Sequence, residues 1–304
     1  MKPGTHEAAG APVPAFSAWI RSLRPHQWTK NLLLLLPALA AHLAWSSHLA
    51  WTLAEGLGAF SLVTSAGYVL NDLVDLPHDR LHPTKKLRPL AAGDLSRTIA
   101  LLTPVPALAT AALITMKLSL GFSLVLGTYL VIATAYTLAL KRLVLVDVFT
   151  LAVLYTMRVM AGASLVGVPL SRWFLAFSVF FFLSLALVKR VVELQDAPVT
   201  AAPAPGRGYG HRDLAILTSL GIAAAAASAL VYCLYISGDD VGRLYRHPDV
   251  LWIGLPMLLY WQARMWLLVA RHEVHDDPLV FALSDPWSWV ALVAFLLPVW
   301  AAAY

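Results

Sequence analysis

Long blocks of apolar residues, broken by short polar interruptions, run along most of the chain. They lie near 31–51, 53–74, 98–116, 119–140, 144–166, 173–190, 214–236, 250–270 and 286–303. Each has about the length an α-helix needs to cross the hydrocarbon core of a bilayer. The pattern therefore predicts about nine transmembrane helices, some tilted or broken where the block is short. No alternating strand pattern competes, and lipid favours helices because they satisfy their own backbone groups. Ahead of the first block, FSAWIRSLRPHQW mixes Phe, Trp, Ile and Leu with Arg, as an interfacial amphipathic helix does. Residues 1–15 are expected to be a disordered tail, and 16–304 a single transmembrane domain.

Composition agrees. The 304 residues are 59% hydrophobic and only 13% charged, against about 25% charged in soluble domains. The expected class is an all-α integral membrane protein with its helices around a central cavity. In that class a net charge of +5 is an orientation signal before it is a sign of nucleic acid. With the N-terminus in the cytoplasm, one side receives Arg21, Arg24, Lys30, the 75–97 loop, Lys141, Arg142, Lys189, Arg190, Arg207, Arg212 and Arg271. The other side receives little beyond Lys117, Arg172, Arg243 and Arg246. This asymmetry predicts an odd number of spans with the C-terminus outside, in what is expected to be a bacterial cytoplasmic membrane. The connection 189–213, rich at its centre in Ala, Pro and Gly, reads as a mobile loop. The lone Cys233 rules out an internal disulfide.

The chemistry gathers at the end of the second block, in NDLVDLPHDRLHPTKKLRPLAAG. On a helix Asp72, Asp75 and Asp79 fall at i, i+3 and i+7, on one face. Three carboxylates on one stripe repel one another, and a divalent cation gives a reason to tolerate them. Mg²⁺ takes oxygen ligands, commonly one or two carboxylates plus substrate phosphates, and Asn71 adds a neutral oxygen. Pro77 is expected to end or bend the helix before Asp79. Arg80, Lys85, Lys86 and Arg88 follow at once, and guanidinium and ammonium groups suit phosphate. Acids for metal beside bases for phosphate describe a metal–diphosphate site, with a solvated topogenic loop as the plain alternative.

This stretch resembles the first Asp-rich motif of the UbiA superfamily of intramembrane prenyltransferases, NDxxDxxxD followed by R-x-x-P and R-P-x-A-x-G. Asn71, Asp72, Asp75, Asp79, Arg80, Pro83, Lys86, Arg88, Pro89 and Gly93 match it. RPHQWTKN, carrying Arg24, Pro25, Gln27, Trp28, Lys30 and Asn31, resembles the branch containing decaprenyl-phosphate phosphoribosyltransferase. KRLVLVD (141–147), Tyr155 with Arg158, Ala161–Gly162, and Lys189–Arg190 with Glu193–Leu194 agree. The resemblance implies Mg²⁺ on Asn71, Asp72, Asp75 and Asp79, phosphoribosyl diphosphate as donor, and a polyprenyl phosphate lipid as acceptor, in cell wall biosynthesis. Phosphate or substrate contacts are expected from Lys30, Asn31, Arg80, Lys86, Arg88, Arg158, Lys189, Arg190 and Glu193, and from Tyr68, one turn before Asn71, unless it is an interfacial tyrosine. One departure stands out. Where the wider superfamily carries a second acidic motif, this chain reads KRVVELQD, leaving Glu193 and Asp196 as its remnant and adding base.

Other residues have plainer readings. Arg158, alone in an apolar block, is either a phosphate ligand or the partner of an acid, because an unpaired charge there is costly. Asp147 is expected to cap the helix that it begins. The run HEVHDDP (272–278) reads as a solvated turn, and the spacing of His26, His78, His82 and His211 argues no zinc site. The expected activity is Mg²⁺-dependent transfer of a phosphoribosyl group to a polyprenyl phosphate. The alternatives are aromatic prenyl transfer from a prenyl diphosphate and, outside enzymes, lipid or ion transport. Transporters place charge at mid-membrane on broken helices, whereas here most charge gathers at one face.

Overall fold

A computed structural model describes residues 15–81, 84–196, 208–238, 241–275 and 277–304, with Arg243 in backbone only. The tail, the centre of the 189–213 loop with Arg207, His82, Pro83 and Asp276 lie outside the described residues. No strand occurs among the described residues. The helices are α1 (Ala15–Ser22), α2 (Leu36–Ala40), α3 (Ser47–Asp79), α4 (Pro89–Ala92), α5 (Arg97–Leu102), α6 (Pro104–Thr115) and α7 (Leu120–Leu138). They continue as α8 (Val146–Val166), α9 (Arg172–Gln195), α10 (Leu214–Ile236), α11 (Val241–Leu244), α12 (Gly254–Ala270), α13 (Pro278–Ser284) and α14 (Pro286–Ala303). The protein is an all-α integral membrane protein. Eight helical segments of the described residues are long and apolar enough to cross a membrane.

The first apolar block takes another form. Residues Pro25–Leu35 wind as a 3₁₀ helix that runs into the short α2. The chain then turns at His42, whose φ is +49°. Ser46 starts α3 by accepting the Leu49 N–H at 3.1 Å, so the end of this block belongs to the next helix. A 3₁₀ helix rises about 2.0 Å per residue against about 1.5 Å in an α-helix. The sixteen residues Pro25–Ala40 thus reach about 30 Å, the thickness of a bilayer core. That reach would let this segment make a ninth crossing with fewer residues than an α-helix would use.

At the centre of the bundle is α8, buried over most of its surface, with Val146, Phe149 and Val153 left exposed on one face. Val148, Ala152, Tyr155 and Val159 on one side join α9, α10 and α12 in one core. Leu154, Met157, Ala161 and Leu165 on the other join α3 and α7 in a second. Gly162 explains part of this closeness. A Cβ there would lie 2.1 Å from the Leu34 carbonyl oxygen, so only glycine lets the 3₁₀ segment lie against α8.

The longest element, α3, has 33 residues, or about 50 Å of helix, well beyond a bilayer core of about 30 Å. Its last turns carry the acidic stripe. Pro77 does not end it: the helix runs through to Asp79, which is buried. Proline forfeits one backbone bond, but near a helix end little remains downstream to disrupt. Beyond α3 a compact turn folds back. Leu90, Leu95 and Ala100 pack on Val69 and Leu76, with Trp19 and Leu23 against them, and Gly93 at φ +90° closes α4.

Two outcomes follow. With that segment as a ninth crossing, the chain ends would lie on opposite sides of the membrane. A phosphatase fused after Tyr304 should be active in the periplasm, while a fluorescent fusion at the N-terminus stays bright; matching sides would mean eight crossings. Gly162→Ala should lower thermal stability in detergent by about 1–3 kcal/mol through overpacking. Gly58→Ala, whose added Cβ meets nothing within 4 Å, should be neutral or mildly stabilising in its helix.

Candidate functional site

At the end of the bundle where α3 stops, each acid of the stripe meets a cation from another element. Arg24 ion-pairs with Asp72. Arg88 reaches Asp72 at 3.3 Å and Asp79 at 2.5 Å. Lys141, from the turn before α8, donates to Asp75 at 2.6 Å and to the Asn71 carbonyl oxygen at 3.1 Å. Three acids and three bases leave the cluster neutral. The helical stripe supplies the acids as expected, and three distant segments converge to balance them. Arg24 sits at φ +53°, unusual for a side-chain-bearing residue. From that turn the guanidinium reaches Asp72 and lies over the Tyr68 ring, 5.2 Å from its centre.

A second cluster stands beside the first. Lys30 donates to Asp277 Oδ2 at 2.6 Å, Lys189 pairs with the same oxygen at 3.3 Å, and the Tyr155 hydroxyl donates to it at 3.4 Å. Asp277 is buried, not in a solvated turn. Burial pushes its carboxyl up, but Lys189 and Lys30 outweigh that and hold it well below the usual carboxylate range. Its other oxygen accepts the Leu279 N–H at 3.2 Å, capping α13. Tyr68, under the Arg24 guanidinium, borders the first cluster.

Among the described residues no acid pairs with Arg158, so the expected acid partner is not found. Its guanidinium donates to Asn31 Oδ1 at 3.2 Å, to the Leu154 carbonyl at 2.9 Å and to the Tyr129 hydroxyl at 2.8 Å. The rings of Phe60, Tyr129 and Tyr155 stand 5.0–5.6 Å from it, where their faces attract a cation. Asn31 in turn donates to Ser61 at 3.0 Å and Thr64 at 3.4 Å. Asn31 therefore ties Arg158 to α3 and to the 3₁₀ segment.

Arg190 and Asp147 also differ from expectation. Asp147 does not cap α8, whose N-cap is Leu145. It is fully buried and binds Arg190, while the Tyr209 hydroxyl donates to it at 2.5 Å. The Leu145 N–H donates to the same hydroxyl at 2.6 Å. Arg190 holds Glu193 with its other terminal nitrogen. Two carboxylates neutralise Arg190 within the framework, which accounts for its burial. Glu193 and Asp196 do not converge, since Asp196 is an exposed C-cap. Arg80 and Lys86 are exposed at the rim.

Arg24, Lys141, Tyr155, Tyr129, Tyr209 and Asp277 complete these clusters. A signal for Asp277 was present: Asp followed by Pro and an apolar run is a helix start. Among the described residues no three His, Cys, Asp or Glu side chains converge as a ready-made metal cage. The α3 stripe still suits a hard divalent cation in its chemistry. Its donors are all oxygen, and Mg²⁺ draws most ligands from phosphate and water.

Membrane-crossing helices with an acid–base centre at one end define the class, and sequence comparison agrees. The chain belongs to the UbiA prenyltransferase family, whose model matches residues 32–284, and is thus a transferase. Among its relatives, it is 32% identical over 322 residues to the decaprenyl-phosphate phosphoribosyltransferase of Mycolicibacterium smegmatis, covering 100% of this chain and 98% of that one. It is 31% identical to the nodulation protein NoeC of Azorhizobium caulinodans, covering 94% and 93%. It is 40% identical over 280 residues to the uncharacterized protein y4nM of Sinorhizobium fredii, covering 91% of this chain and only 54% of that relative. The fold is similar to that of a UbiA homolog from Archaeoglobus fulgidus bound to DMAPP and Mg²⁺, with TM-score 0.70, 16% identity and coverage of 93% and 99%.

Removing one partner of a buried ion pair strands the other charge, at a cost of about 3–5 kcal/mol. Asp147→Ala should therefore sharply lower the unfolding temperature in detergent. Joint replacement, Asp147→Leu with Arg190→Met, should recover most of the loss. A single variant as stable as the parent would show that the pair does not hold α8 to α9.

Proposed function

We propose that this protein transfers a 5-phosphoribosyl group from phosphoribosyl diphosphate to a polyprenyl phosphate and releases diphosphate. The observation that carries the reading is the neutral cluster on α3. Asp72, Asp75 and Asp79 are each held by a base that could equally hold phosphate: Arg24, Arg88 or Lys141. On a diphosphate those bases turn to its oxygens and free the carboxylates for a cation. Asn71, Asp72, Asp75 and Asp79 would hold Mg²⁺. The chemistry a bound magnesium ion supplies there is neutralisation of charge on the departing diphosphate.

The remaining work falls to the chain. Arg24, Arg88 and Lys141 orient the diphosphate, with Arg80 and Lys86 drawing it in from the rim. As the anomeric carbon–oxygen bond breaks, the sugar gains oxocarbenium character. An oxygen of the lipid phosphate forms the new bond from the opposite face. That phosphate is already an anion at neutral pH, so no strong general base is needed. Tyr68, which borders the first cluster, and Arg158, which packs on Tyr155 of the second, would flank the sugar. Lys189, where the wider superfamily carries a second acidic motif, suits a reaction between two phosphate-bearing substrates. The relative of M. smegmatis, aligned end to end, carries the same activity in its name. The active end is proposed to face the cytoplasm, since the basic residues gather there.

Purified protein incubated with Mg²⁺, labelled phosphoribosyl diphosphate and a polyprenyl phosphate should pass label into the lipid phase. Asp72→Ala and Asp75→Ala should each reduce turnover by at least a hundredfold while the protein still inserts. Reaction only with a prenyl diphosphate and an aromatic acid, offered in parallel, would overturn the substrate assignment.

A further inference from the structure

The geometry points to a separate subsite for the lipid phosphate, built by Lys30, Lys189 and Tyr155, in which a phosphomonoester oxygen takes the place of Asp277 Oδ2. This inference rests on the proposed transfer reaction and divides its phosphates between two addresses.

One oxygen of Asp277 receives three donors from three elements. Lys30 comes from the 3₁₀ segment at 2.6 Å, Lys189 from α9 at 3.3 Å and Tyr155 from α8 at 3.4 Å. Such convergence suits a phosphate oxygen, which accepts several hydrogen bonds and carries more charge than a carboxylate oxygen. Two lysines around one carboxylate carry a surplus positive charge whenever both are protonated, whereas the acids and bases on α3 balance. The surplus favours an incoming anion here. Lys30 is held within 5.9 Å of the Tyr155 ring centre and its side chain is 6% exposed. The site is therefore shaped by packing, not by free surface lysines.

The surroundings decide which phosphomonoester fits. Phosphoribosyl diphosphate also carries one, on its sugar. From Tyr155, however, a row of aromatic rings leads away from the charged end of the bundle. Tyr155 stacks on Phe182 at 5.4 Å; Phe182 meets Phe181 at 5.5 Å, and Phe181 meets Phe177 at 5.5 Å and Trp261 at 5.6 Å. From Lys189 to Phe177 is about 18 Å along α9. A ligand with a phosphate at one end and a long apolar chain behind it matches both halves. A sugar phosphate matches only the first. Asp277, tied to the start of α13 through the Leu279 N–H, competes with the lipid phosphate for the same lysines. That competition also keeps Lys30 paired inside the protein.

The test measures binding to the full-length protein in detergent by thermophoresis. The probes are farnesyl phosphate, farnesol, ribose 5-phosphate, and phosphoribosyl diphosphate with Mg²⁺. Farnesyl phosphate should bind at least tenfold more tightly than farnesol. Lys189→Gln should weaken farnesyl phosphate at least tenfold and leave phosphoribosyl diphosphate within about twofold. Asp72→Asn should do the reverse. Asp277→Asn, which removes the competitor, should tighten farnesyl phosphate severalfold. Because Lys30→Gln alone strands a buried carboxylate, it is paired with Asp277→Asn. That double variant should lose the gain of Asp277→Asn alone. Equal binding of farnesol and farnesyl phosphate overturns the subsite, as does Lys189→Gln weakening ribose 5-phosphate and not farnesyl phosphate. Weaker farnesyl phosphate binding in Asp277→Asn overturns the competition. If the parent protein holds farnesyl phosphate through Lys189 yet ignores phosphoribosyl diphosphate, the subsite stands and the transfer reading falls.

Discussion

A carboxylate cannot be left alone at the end of a membrane helix. Burial removes water from it, and only an opposite charge brought close restores the loss. This constraint organises one end of the bundle. Asp72, Asp75 and Asp79 on α3, Asp147 on α8 and Asp277 before α13 each draw a cation from another element. The helices are greasy along their lengths and bind one another mainly by shape. At this end they are tied by charge, and the ties fix which helix ends meet.

The ties differ in what they allow. The Asp147–Arg190 pair is sealed by Tyr209 and Glu193 and is wholly internal. It joins α8 to α9 and is framework. The pairs on α3 are partly open: Arg88 and Asp75 keep side-chain exposures of 24% and 27%. Those pairs can exchange partners with a ligand that brings its own charge. Site and framework thus use one chemistry and are separated by access to water.

Backbone irregularity serves the same end. An unusually long 3₁₀ run puts Arg24, Lys30 and Asn31 on three different targets, Asp72, Asp277 and Arg158. The tighter winding turns successive side chains through about 120° instead of 100°. Close approach to α8 is possible because Gly162 presents no side chain to Leu34. A motif that looks local in the sequence is therefore a hub joining three helices.

Much of the fold was legible from letters alone, because lipid tolerates only long apolar helices and their lengths are set by the bilayer. The acidic stripe was legible for a similar reason: i, i+3 and i+7 must share a face. The first block misled, since hydropathy reports that a segment is apolar and not how tightly it winds. Pro77 misled because a breaker's effect depends on how near the helix end it falls. Asp277, Asp147 and Arg190 could not be read singly. Asp277 looked solvated and Asp147 looked like a cap because each was judged by its neighbours along the chain. Their partners lie 247 and 43 residues away. The sequence by itself determined the membrane helices, their approximate number and the stripe on α3, all properties of local periodicity and solvent. Only the tertiary structure decided which charges are neutralised inside the framework and which remain open to exchange, because pairing depends on distance through space.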